Sequence, residues 1–299
     1  MAPMTSAIEY SLPSMTGRTV IITGANSGIG RVAARVLAGR GAHVVLAVRN
    51  LDKGEAAAAT MPGSTDVRLL DLADLDSVRS FAAAFTDPID ILINNAGIMI
   101  PPLSHTVDGF ESQFGTNHLG HFALTNLLLP QIRDRVVTLS SLAHKSGYIE
   151  FDDLDWTRRP YKAMAAYGQS KLANLLFTSE LQRRLSEKSS PVIATAAHPG
   201  LATTNLFKAG DGNRLRAAVS RTFIGLIGQN EQEGARPTLC AAVADIPGDS
   251  FVGPKSLFEV RGAPGFASRA PGAKNAEVAR RLWTVSEELT EVTFPLPAP

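Results

Sequence analysis

Tyr167 and Lys171 lie four positions apart in the stretch Tyr-Gly-Gln-Ser-Lys. In an α-helix this spacing places both side chains on one face, one turn apart. A tyrosine hydroxyl is a weak acid–base group at neutral pH because its ordinary pKa is about 10, and a neighbouring ammonium lowers that pKa. We therefore expect Tyr167 to give a proton to a developing alkoxide or take one from an alcohol. Solvated helices also carry such pairs by chance, so the rest of the chain must decide.

A glycine-rich segment follows the first predicted strand, reading Thr-Gly-Ala-Asn-Ser-Gly-Ile-Gly over residues 23–30. Its glycines, Gly24, Gly28 and Gly30, would let the backbone approach a pyrophosphate, whose charge the amides of the next helix could meet. Three residues separate the first two glycines, instead of the single residue of the common dinucleotide-binding pattern. A plain tight turn is the alternative, but a strand before it and a helix after it favour nucleotide binding.

The residues after the second and third predicted strands indicate which dinucleotide binds. A carboxylate is expected after the second strand if the cofactor ribose carries a free 2′-hydroxyl. The chain has Arg49-Asn50 there, with no acid before Asp52, which we expect to cap the next helix. Arg49 offers paired donors to a 2′-phosphate, so we predict NADP rather than NAD; an exposed surface arginine is the alternative. Asp71 either accepts from the adenine amine or caps the helix that begins near Asp74.

Short β-branched runs alternate with Ala- and Leu-rich stretches along the chain, consistently strand then helix. This order predicts an α/β fold, a Rossmann-type doubly wound parallel sheet of about seven strands with helices on both faces. We predict strands at residues 19–23, 44–48, 67–70, 89–93, 136–139, 192–196 and 251–252. We predict helices at residues 29–37, 75–85, 109–132, 163–185 and 231–244, and loops at residues 201–212 and 262–272.

Length, charge and cysteine content limit the class of protein. With 299 residues, 44% hydrophobic content and a net charge of +1, the chain can bury a large core. We predict one NADP-binding domain over residues 1–299, with a flexible start at residues 1–16 and a C-terminal extension from about residue 255. The charge argues against nucleic acid as a partner. Cys240 is the single cysteine, and residues 1–15 lack signal-peptide character, so we predict a cytoplasmic protein without a membrane-spanning segment.

The glycine segment, the sequence Asn94-Asn95-Ala96-Gly97 after the fourth strand, and Tyr167 with Lys171 occur in the order of a known family. On these residues the chain resembles the short-chain dehydrogenase/reductase family over nearly its whole length. The resemblance implies a catalytic set of four residues. They are Asn117, Ser141, Tyr167 and Lys171. It implies that Ser141 orients the substrate oxygen, that Lys171 also holds the nicotinamide ribose, and that Asn117 holds a water that passes protons to Lys171.

The glycine turn, the strand ends and the resemblance together imply a set of residues that contact NADP(H). They are Gly24, Asn26, Ser27, Gly28, Ile29, Gly30, Arg49, Asn50, Asp71, Leu72, Asn95, Ala96, Gly97, Tyr167, Lys171, Pro199, Gly200 and Thr204. The insertion between Ser141 and Tyr167, and the stretch around Asn174, resemble the retinol-dehydrogenase-like branch. That branch acts on hydrophobic carbonyls and alcohols with NADP. The family also often pairs into homodimers.

The predicted activity is reversible hydride transfer between NADP(H) and a carbonyl or alcohol of an apolar small molecule. Residues 203–228 form either an apolar flap over the substrate or an amphipathic helix packed on the core. Two alternatives are a non-catalytic dinucleotide sensor, which the complete catalytic set disfavours, and an NAD-dependent epimerase or dehydratase of a nucleotide sugar, which Arg49 disfavours. His118, His121 and His144 lack a cysteine or paired carboxylate to complete a ligand set, so no metal is predicted.

Overall fold

The computed structural model describes residue 8, residues 11–201 and residues 230–295. The strands within these ranges are β1 (Thr19–Thr23), β2 (His43–Val48), β3 (Ser64–Leu69), β4 (Ile89–Asn94), β5 (Ile132–Leu139), β6 (Ile193–Ala197), β7 (Phe251–Ser256) and β8 (Arg261–Phe266). The helices are α1 (Gly28–Gly39), α2 (Leu51–Ala58), α3 (Leu75–Ala83), α4 (Ser112–Phe114), α5 (Gly120–Leu128), α6 (Ala163–Glu187), α7 (Glu231–Val243) and α8 (Ala276–Thr290). A π-helical turn, Gly115–Leu119, joins α4 to α5, and 3₁₀ turns occupy Leu129–Gln131, Leu142–Ser146 and Pro271–Lys274.

The eight strands form one sheet in the order β3-β2-β1-β4-β5-β6-β7-β8. All neighbouring pairs are parallel except β7 with β8, which is antiparallel. The chain moves outward in one direction from β1 to β3 and in the other from β4 onward, so β1 and β4 are central neighbours. Ligands of such sheets bind at this reversal, beyond the carboxyl ends of the strands. The predicted doubly wound α/β fold is confirmed.

The central strands are apolar on both faces because helices cover both faces. Successive side chains of a strand point to opposite sides. Val20 and Ile22 accordingly join a core beneath α1 and α7, where Leu37 and Cys240 are also buried. Ile21 joins the opposite core, where four of the buried aromatic residues come from four different helices. They are Phe81, Phe122, Phe177 and Trp283.

Several predicted boundaries differ from the structure: β3 and β5 begin three and four residues earlier than predicted, and one helix and one loop are wrong. The helix predicted over residues 109–132 begins at Ser112, is interrupted by the π-helical turn and ends at Leu128, and Ile132 already belongs to β5. The loop predicted over residues 262–272 contains most of β8. Its Gly- and Pro-rich sequence hides a strand that lies at the edge of the sheet, where proline is tolerated because one side of the strand has no partner. Pro264 faces Pro254 in this antiparallel pair.

One helix cap differs from expectation, and another decides between the two alternatives open for Asp71. Asn50, not Asp52, caps α2, because its side chain accepts a hydrogen bond from Lys53 N at 2.8 Å. Asp74 itself caps α3 by accepting from the amides of residues 76 and 77. Asp71 does not cap α3; its Oδ1 accepts from Ala73 N at 2.9 Å in the turn before the helix.

Among the described residues, no helix combines the length and the apolar character that crossing a membrane requires. The proposed flap at residues 203–228 and the predicted cofactor contact Thr204 lie outside the described residues.

Candidate active site

Tyr167 and Lys171 share a buried face of α6, the 25-residue helix packed against β5 and β6. Their exposed fractions are only 8% and 5%. Lys171 Nζ lies 5.6 Å from the centre of the Tyr167 ring and donates to Leu139 O at 3.3 Å. Ser140 Oγ donates to Lys171 O at 2.7 Å, which fixes α6 against the end of β5. The sequence spacing thus produces the expected pair, held at the carboxyl edge of the sheet.

The protonation state of this pair differs from the expectation. Burial raises the pKa of Tyr167 to about 12, and the opposing influence comes from the Ser141 hydroxyl. Burial lowers the pKa of Lys171 to about 8. The expected lowering of the Tyr167 pKa by Lys171 is not seen in this structure, where burial is the larger influence and the Ser141 hydroxyl is the opposing one. At neutral pH Tyr167 carries its proton and is a donor.

Ser141 lies two residues after the end of β5 and caps the Leu142–Ser146 turn, where it accepts from Ala143 N at 3.3 Å. Ser141 thus has the capping role that sequence alone would favour. The same hydroxyl also hydrogen-bonds to Tyr167, which opposes the rise in the Tyr167 pKa. A hydroxyl at the end of a parallel strand lies on the ligand-binding edge. Ser141 can therefore both end the strand and donate to a substrate oxygen beside Tyr167.

Asn117 lies in the π-helical turn and is fully buried. Its Oδ1 accepts from Ile98 N at 2.8 Å, and its Nδ2 donates to Ile98 O at 3.0 Å and to Ser170 Oγ at 2.9 Å. A Cβ placed on Gly97 would lie 3.0 Å from Asn117 Oδ1 and 3.4 Å from Lys171 Nζ. Asn117, Gly97 and Lys171 therefore lie next to one another. The π-helical turn positions the Asn117 side chain there, and such turns are common at functional sites.

The glycine turn is packed so closely that side chains would not fit. Gly24 and Gly28 have φ angles of +67° and +55°, in the left-handed region that favours glycine. A Cβ on Gly30 would lie 2.4 Å from Asn95 Nδ2 and 2.7 Å from Gly24 O. Asn95 Nδ2 donates to Thr23 O at 2.8 Å, so the Asn95–Gly97 segment is docked on the turn. The predicted cofactor residues of β1 and β4 are thus brought together.

The first turn of α1 can receive a pyrophosphate. The first backbone bond runs from Arg31 N to Ser27 O, so the amides of Gly28, Ile29 and Gly30 have no partner within the helix. The half-buried Asn26 precedes Ser27, whose side chain makes no capping bond, and the first turn carries no acid. Free amides, a positive helix end and a tight glycine backbone fit the phosphates of a dinucleotide.

The adenosine side of the predicted site is more open. Arg49 is exposed directly after β2 and forms no ion pair within the described chain. Asn50 has its carbonyl oxygen committed to the α2 cap, which leaves its Nδ2 for other contacts. Asp71 is half-buried after β3, and Leu72 is buried, with its carbonyl oxygen only 2.4 Å from where a Cβ on Gly120 would lie.

Pro199 and Gly200 follow β6 on the nicotinamide side of the predicted site. Gly200 has φ +69° and donates from its amide to His198 Nδ1 at 3.2 Å. Leu201 N donates to Val260 O at 3.0 Å, which ties this strand end to the β7–β8 hairpin.

The three histidines that the sequence clusters do not converge. His118 Nε2 lies 2.9 Å from Ser286 Oγ on α8, and His144 Nδ1 lies 2.6 Å from Ser141 O. His121 bonds instead to Asn117 O and Thr23 Oγ1. Within residues 11–201 and 230–295, no group of His, Cys, Asp or Glu side chains is arranged to hold a metal ion.

Sequence reasoning missed a group of buried polar residues beside the site. Thr23 Oγ1 accepts from the amides of Asn95 and Ala96, both at 2.9 Å, although Thr23 reads only as the end of a strand. Glu111, fully buried, accepts from Tyr161 through the tyrosine hydroxyl at 3.0 Å. No spacing rule identifies these residues. The only signal for Thr23 is a polar side chain next to the glycine turn, and the sequence carries no signal that Glu111 is buried.

Comparison with known proteins assigns the class of this chain. Residues 18–213 match the family model described as short chain dehydrogenase, so the chain belongs to that family, and the resemblance seen in the sequence is confirmed. Human retinol dehydrogenase 13 is 45% identical over 95% of this chain and 88% of its own length. Mouse retinol dehydrogenase 12 is 44% identical over 93% of this chain and 88% of its own length. The chain is thus a retinol-dehydrogenase-like oxidoreductase acting on CH–OH groups.

Two solved structures agree. A crystal structure of an uncharacterised protein from Mycobacterium paratuberculosis has a TM-score of 0.84 and 55% identity, over 96% of this chain and 98% of that one. A crystal structure from Beutenbergia cavernae, described as an NAD(P)-dependent gluconate 5-dehydrogenase with NADP bound at low occupancy, has a TM-score of 0.61 and 26% identity, over 78% and 92% of the two chains. A dinucleotide of the NAD(P) type is therefore the cofactor typical of this fold.

Proposed function

We propose that this chain transfers a hydride reversibly between NADP(H) and a carbonyl or alcohol carbon of an apolar small molecule, with Tyr167 as the proton donor or acceptor. One observation carries the proposal. Tyr167, Ser141, Lys171 and Asn117 come from three separate segments and meet at the sheet edge where the glycine turn lies.

The residues present fit the cofactor. When bound, the nicotinamide supplies or accepts the hydride. The glycine turn and the free amides of Gly28, Ile29 and Gly30 would hold the pyrophosphate, because they offer donors without a competing acid. Arg49 would bind the 2′-phosphate, since it is exposed at the end of β2 without an ion-pair partner among the described residues. That 2′-phosphate contact favours NADP over NAD.

The protein groups supply the proton. In the reducing direction Tyr167 gives its hydroxyl proton to the oxygen that gains charge, and burial keeps that proton in place until the oxygen needs it. Ser141 donates to the same oxygen and holds it in position. Lys171, charged at neutral pH and next to Asn117, can return a proton to Tyr167. In the oxidising direction the proton moves the opposite way.

An apolar substrate is supported by the surroundings of the site and by the relatives. Met164, one helical turn before Tyr167, is 55% exposed, and Tyr148, just after the turn that Ser141 caps, is 70% exposed. Exposed apolar side chains beside a reactive group suit an apolar ligand. The relatives named as retinol dehydrogenases point to retinoid-like aldehydes and alcohols as the first class to test.

Cys240 as the single cysteine supports a cytoplasmic location, and a homodimer remains our expectation for the assembly.

The test is binding of NADPH and NADH to the purified protein by nicotinamide fluorescence, followed by turnover with all-trans-retinal, a long-chain aldehyde, and glyceraldehyde as a polar control. We expect NADPH to bind roughly tenfold or more tightly than NADH, and to be oxidised with the apolar aldehydes only. NADPH binding without turnover of any carbonyl would favour a dinucleotide-binding protein over an enzyme. If neither cofactor binds, the interpretation of the glycine turn is wrong.

A further inference from the structure

His121 joins three segments of the site through one buried imidazole. The ring is 1% exposed, its Nδ1 lies 3.0 Å from Asn117 O, and its Nε2 lies 2.9 Å from Thr23 Oγ1. Thr23 Oγ1 in turn accepts from the amides of Asn95 and Ala96. A continuous chain of hydrogen bonds therefore runs from the π-helical turn, through the imidazole, to the end of β1 and the cofactor-lining segment after β4.

The partners determine the tautomer of His121. Asn117 O is a carbonyl and only accepts, so Nδ1 carries the hydrogen. Thr23 Oγ1 already accepts two amide hydrogens, so its own hydrogen is available to donate, and Nε2 at 2.9 Å is a better acceptor than Ile93 O at 3.5 Å. The imidazole is neutral. Burial lowers the pKa of His121 to about 4, and the positive charge of Lys171 acts in the same direction.

Each end of this chain of bonds controls part of the site. On one side, the His121 N–H holds the Asn117 carbonyl in the π-turn, and the Asn117 side chain clamps Ile98 and Ser170 next to Lys171. On the other side, the Thr23 hydroxyl is oriented by the imidazole and fixes the amides of the cofactor-lining segment. Replacement of the imidazole would remove the hydrogen bond that holds the Asn117 carbonyl and the one that orients the Thr23 hydroxyl.

We propose that His121 is a positioning residue that couples the cofactor-lining segment Asn95–Gly97 to Asn117 and Lys171. The segment that would line the nicotinamide and the residues that would move the proton then keep their relative positions. The proposal rests on the function proposed above. His121 touches neither substrate nor cofactor in this assignment; it acts through Thr23 and Asn117.

His118 provides a matched control in the same segment. It is equally buried, and burial lowers its pKa to about 3. Its Nε2 binds Ser286 Oγ on α8, its ring packs among Phe114, Phe122 and Phe177, and its remaining polar neighbour is the Asn174 side chain on α6, which is not a member of the proposed catalytic set. Loss of His118 should therefore cost packing and stability alone.

The experiment compares His121→Phe, His121→Gln and His118→Phe in full-length protein. We expect His121→Phe to lower kcat roughly 10- to 100-fold and to raise KM for NADPH, with KM for the carbonyl nearly unchanged, because a small displacement of reacting groups is costly. His121→Gln, whose amide can donate or accept, should recover part of kcat. His118→Phe should lower the melting temperature but leave kcat and both KM values near wild type.

Hydrogen exchange in the protein without added ligand gives a readout that does not depend on turnover. The amides of Asn95, Ala96 and Ile98 should exchange faster in His121→Phe than in His118→Phe. Equal exchange at these amides in the two variants, or wild-type kinetics of folded His121→Phe, would overturn the proposal. If the wild type turns over no carbonyl, the proposed function fails, while the exchange comparison still tests the coupling by itself.

Discussion

The glycine turn after β1 and the insertion before α6 both lie at the carboxyl ends of the parallel strands, and they are held by different means. The glycine turn, residues 23–30, is shaped by backbone: Gly24 and Gly28 are left-handed, and Gly30 leaves no room for a Cβ. Within the insertion between Ser141 and Tyr167, residues 149–162 are shaped by side chains. Trp156 adopts φ +59° under the Arg159 guanidinium, which lies 3.7 Å from the centre of its ring.

Side-chain hydrogen bonds attach this insertion to the helical segment that contains Asn117. Tyr161 donates to Glu111 Oε1, Asp155 Oδ1 accepts from Glu111 N at 2.8 Å, and Gln113 Nε2 donates to the Tyr161 hydroxyl at 2.9 Å. A closely packed glycine turn cannot keep its conformation when a single methyl group is added. A set of side-chain hydrogen bonds instead loses stability by one bond with each substitution. We refer to the glycine turn with Asn95–Gly97 as the cofactor side, and to Tyr167 with the insertion that precedes it as the substrate side in the proposed function. We expect abrupt losses from changes on the cofactor side and graded losses from changes within the insertion.

Removal of the reacting hydroxyl should give the largest effect, and it is a chemical effect on the substrate side. Tyr167→Phe keeps the ring in its buried position but removes the proton, so we expect kcat to fall roughly 10²- to 10⁴-fold. NADPH affinity should stay within about twofold. Steady-state kinetics and fluorescence titration measure the two quantities, and wild-type turnover by the purified variant would contradict the assignment of Tyr167.

Gly30→Ala tests whether the cofactor side tolerates any added atom. The new methyl would lie 2.4 Å from Asn95 Nδ2, so the turn and the Asn95–Gly97 segment must separate. We expect NADPH to bind roughly 10- to 100-fold more weakly and the unfolding free energy to fall by about 1–3 kcal/mol. Fluorescence titration and chemical denaturation measure the two quantities.

Gly39→Ala, at the other end of α1, is the matched control. There the nearest atom to the new methyl is Pro62 Cγ at 3.3 Å, and we expect affinity close to wild type. If both variants bind NADPH like the wild type, the cofactor side is as tolerant as the substrate side and the contrast between them is lost.

The sequence predicts the cofactor side better because its signals are local. Gly24 and Gly28 are needed for left-handed backbone within a few residues, and β-branched runs mark the buried parallel strands regardless of what covers them. The Tyr167–Lys171 spacing likewise needs only helical geometry. These features follow from neighbours in the sequence, so they can be recognised before the fold is known.

The parts that sequence misses depend on distant neighbours. The π-turn at Asn117 is accompanied by a bond between His121 and the end of β1, and the raised pKa of Tyr167 follows from burial by the whole fold. The edge strand β8 exists because it pairs with β7, although its own composition indicates a loop. Even the cap of α2 is not fixed by its local sequence, because Asn50 and Asp52 are both residue types that cap helices and only the backbone geometry selects Asn50.

Arg49→Ala should have a moderate effect that is confined to the adenosine end of the cofactor side. A guanidinium–phosphate contact is worth about 1.5–3 kcal/mol, so NADPH affinity should fall roughly 10- to 100-fold while NADH affinity changes little. Arg40→Ala, an exposed arginine at the end of α1 on the opposite edge of the sheet, is the control. Equal losses for NADPH and NADH would exclude the 2′-phosphate role.

Tyr161→Phe should give the smallest effect and test the graded behaviour of the substrate side. It removes one donor to the buried Glu111 carboxylate, so the unfolding free energy should fall by about 1–2 kcal/mol, with KM for the carbonyl raised and NADPH affinity unchanged. Tyr148→Phe, at a largely exposed tyrosine, should change neither.

The pH dependence of the Tyr161→Phe loss follows from Glu111, whose pKa burial already raises above 4.5. Removing a donor raises that pKa further, and a carboxyl with a raised pKa costs stability only where the unfolded chain is ionised. The loss should therefore grow as the pH rises from 4 to 7, in denaturation curves recorded at both values. A loss that is larger at pH 4, or one accompanied by weaker NADPH binding, would mean that the insertion supports the cofactor side as well, and the two sides would not be independent.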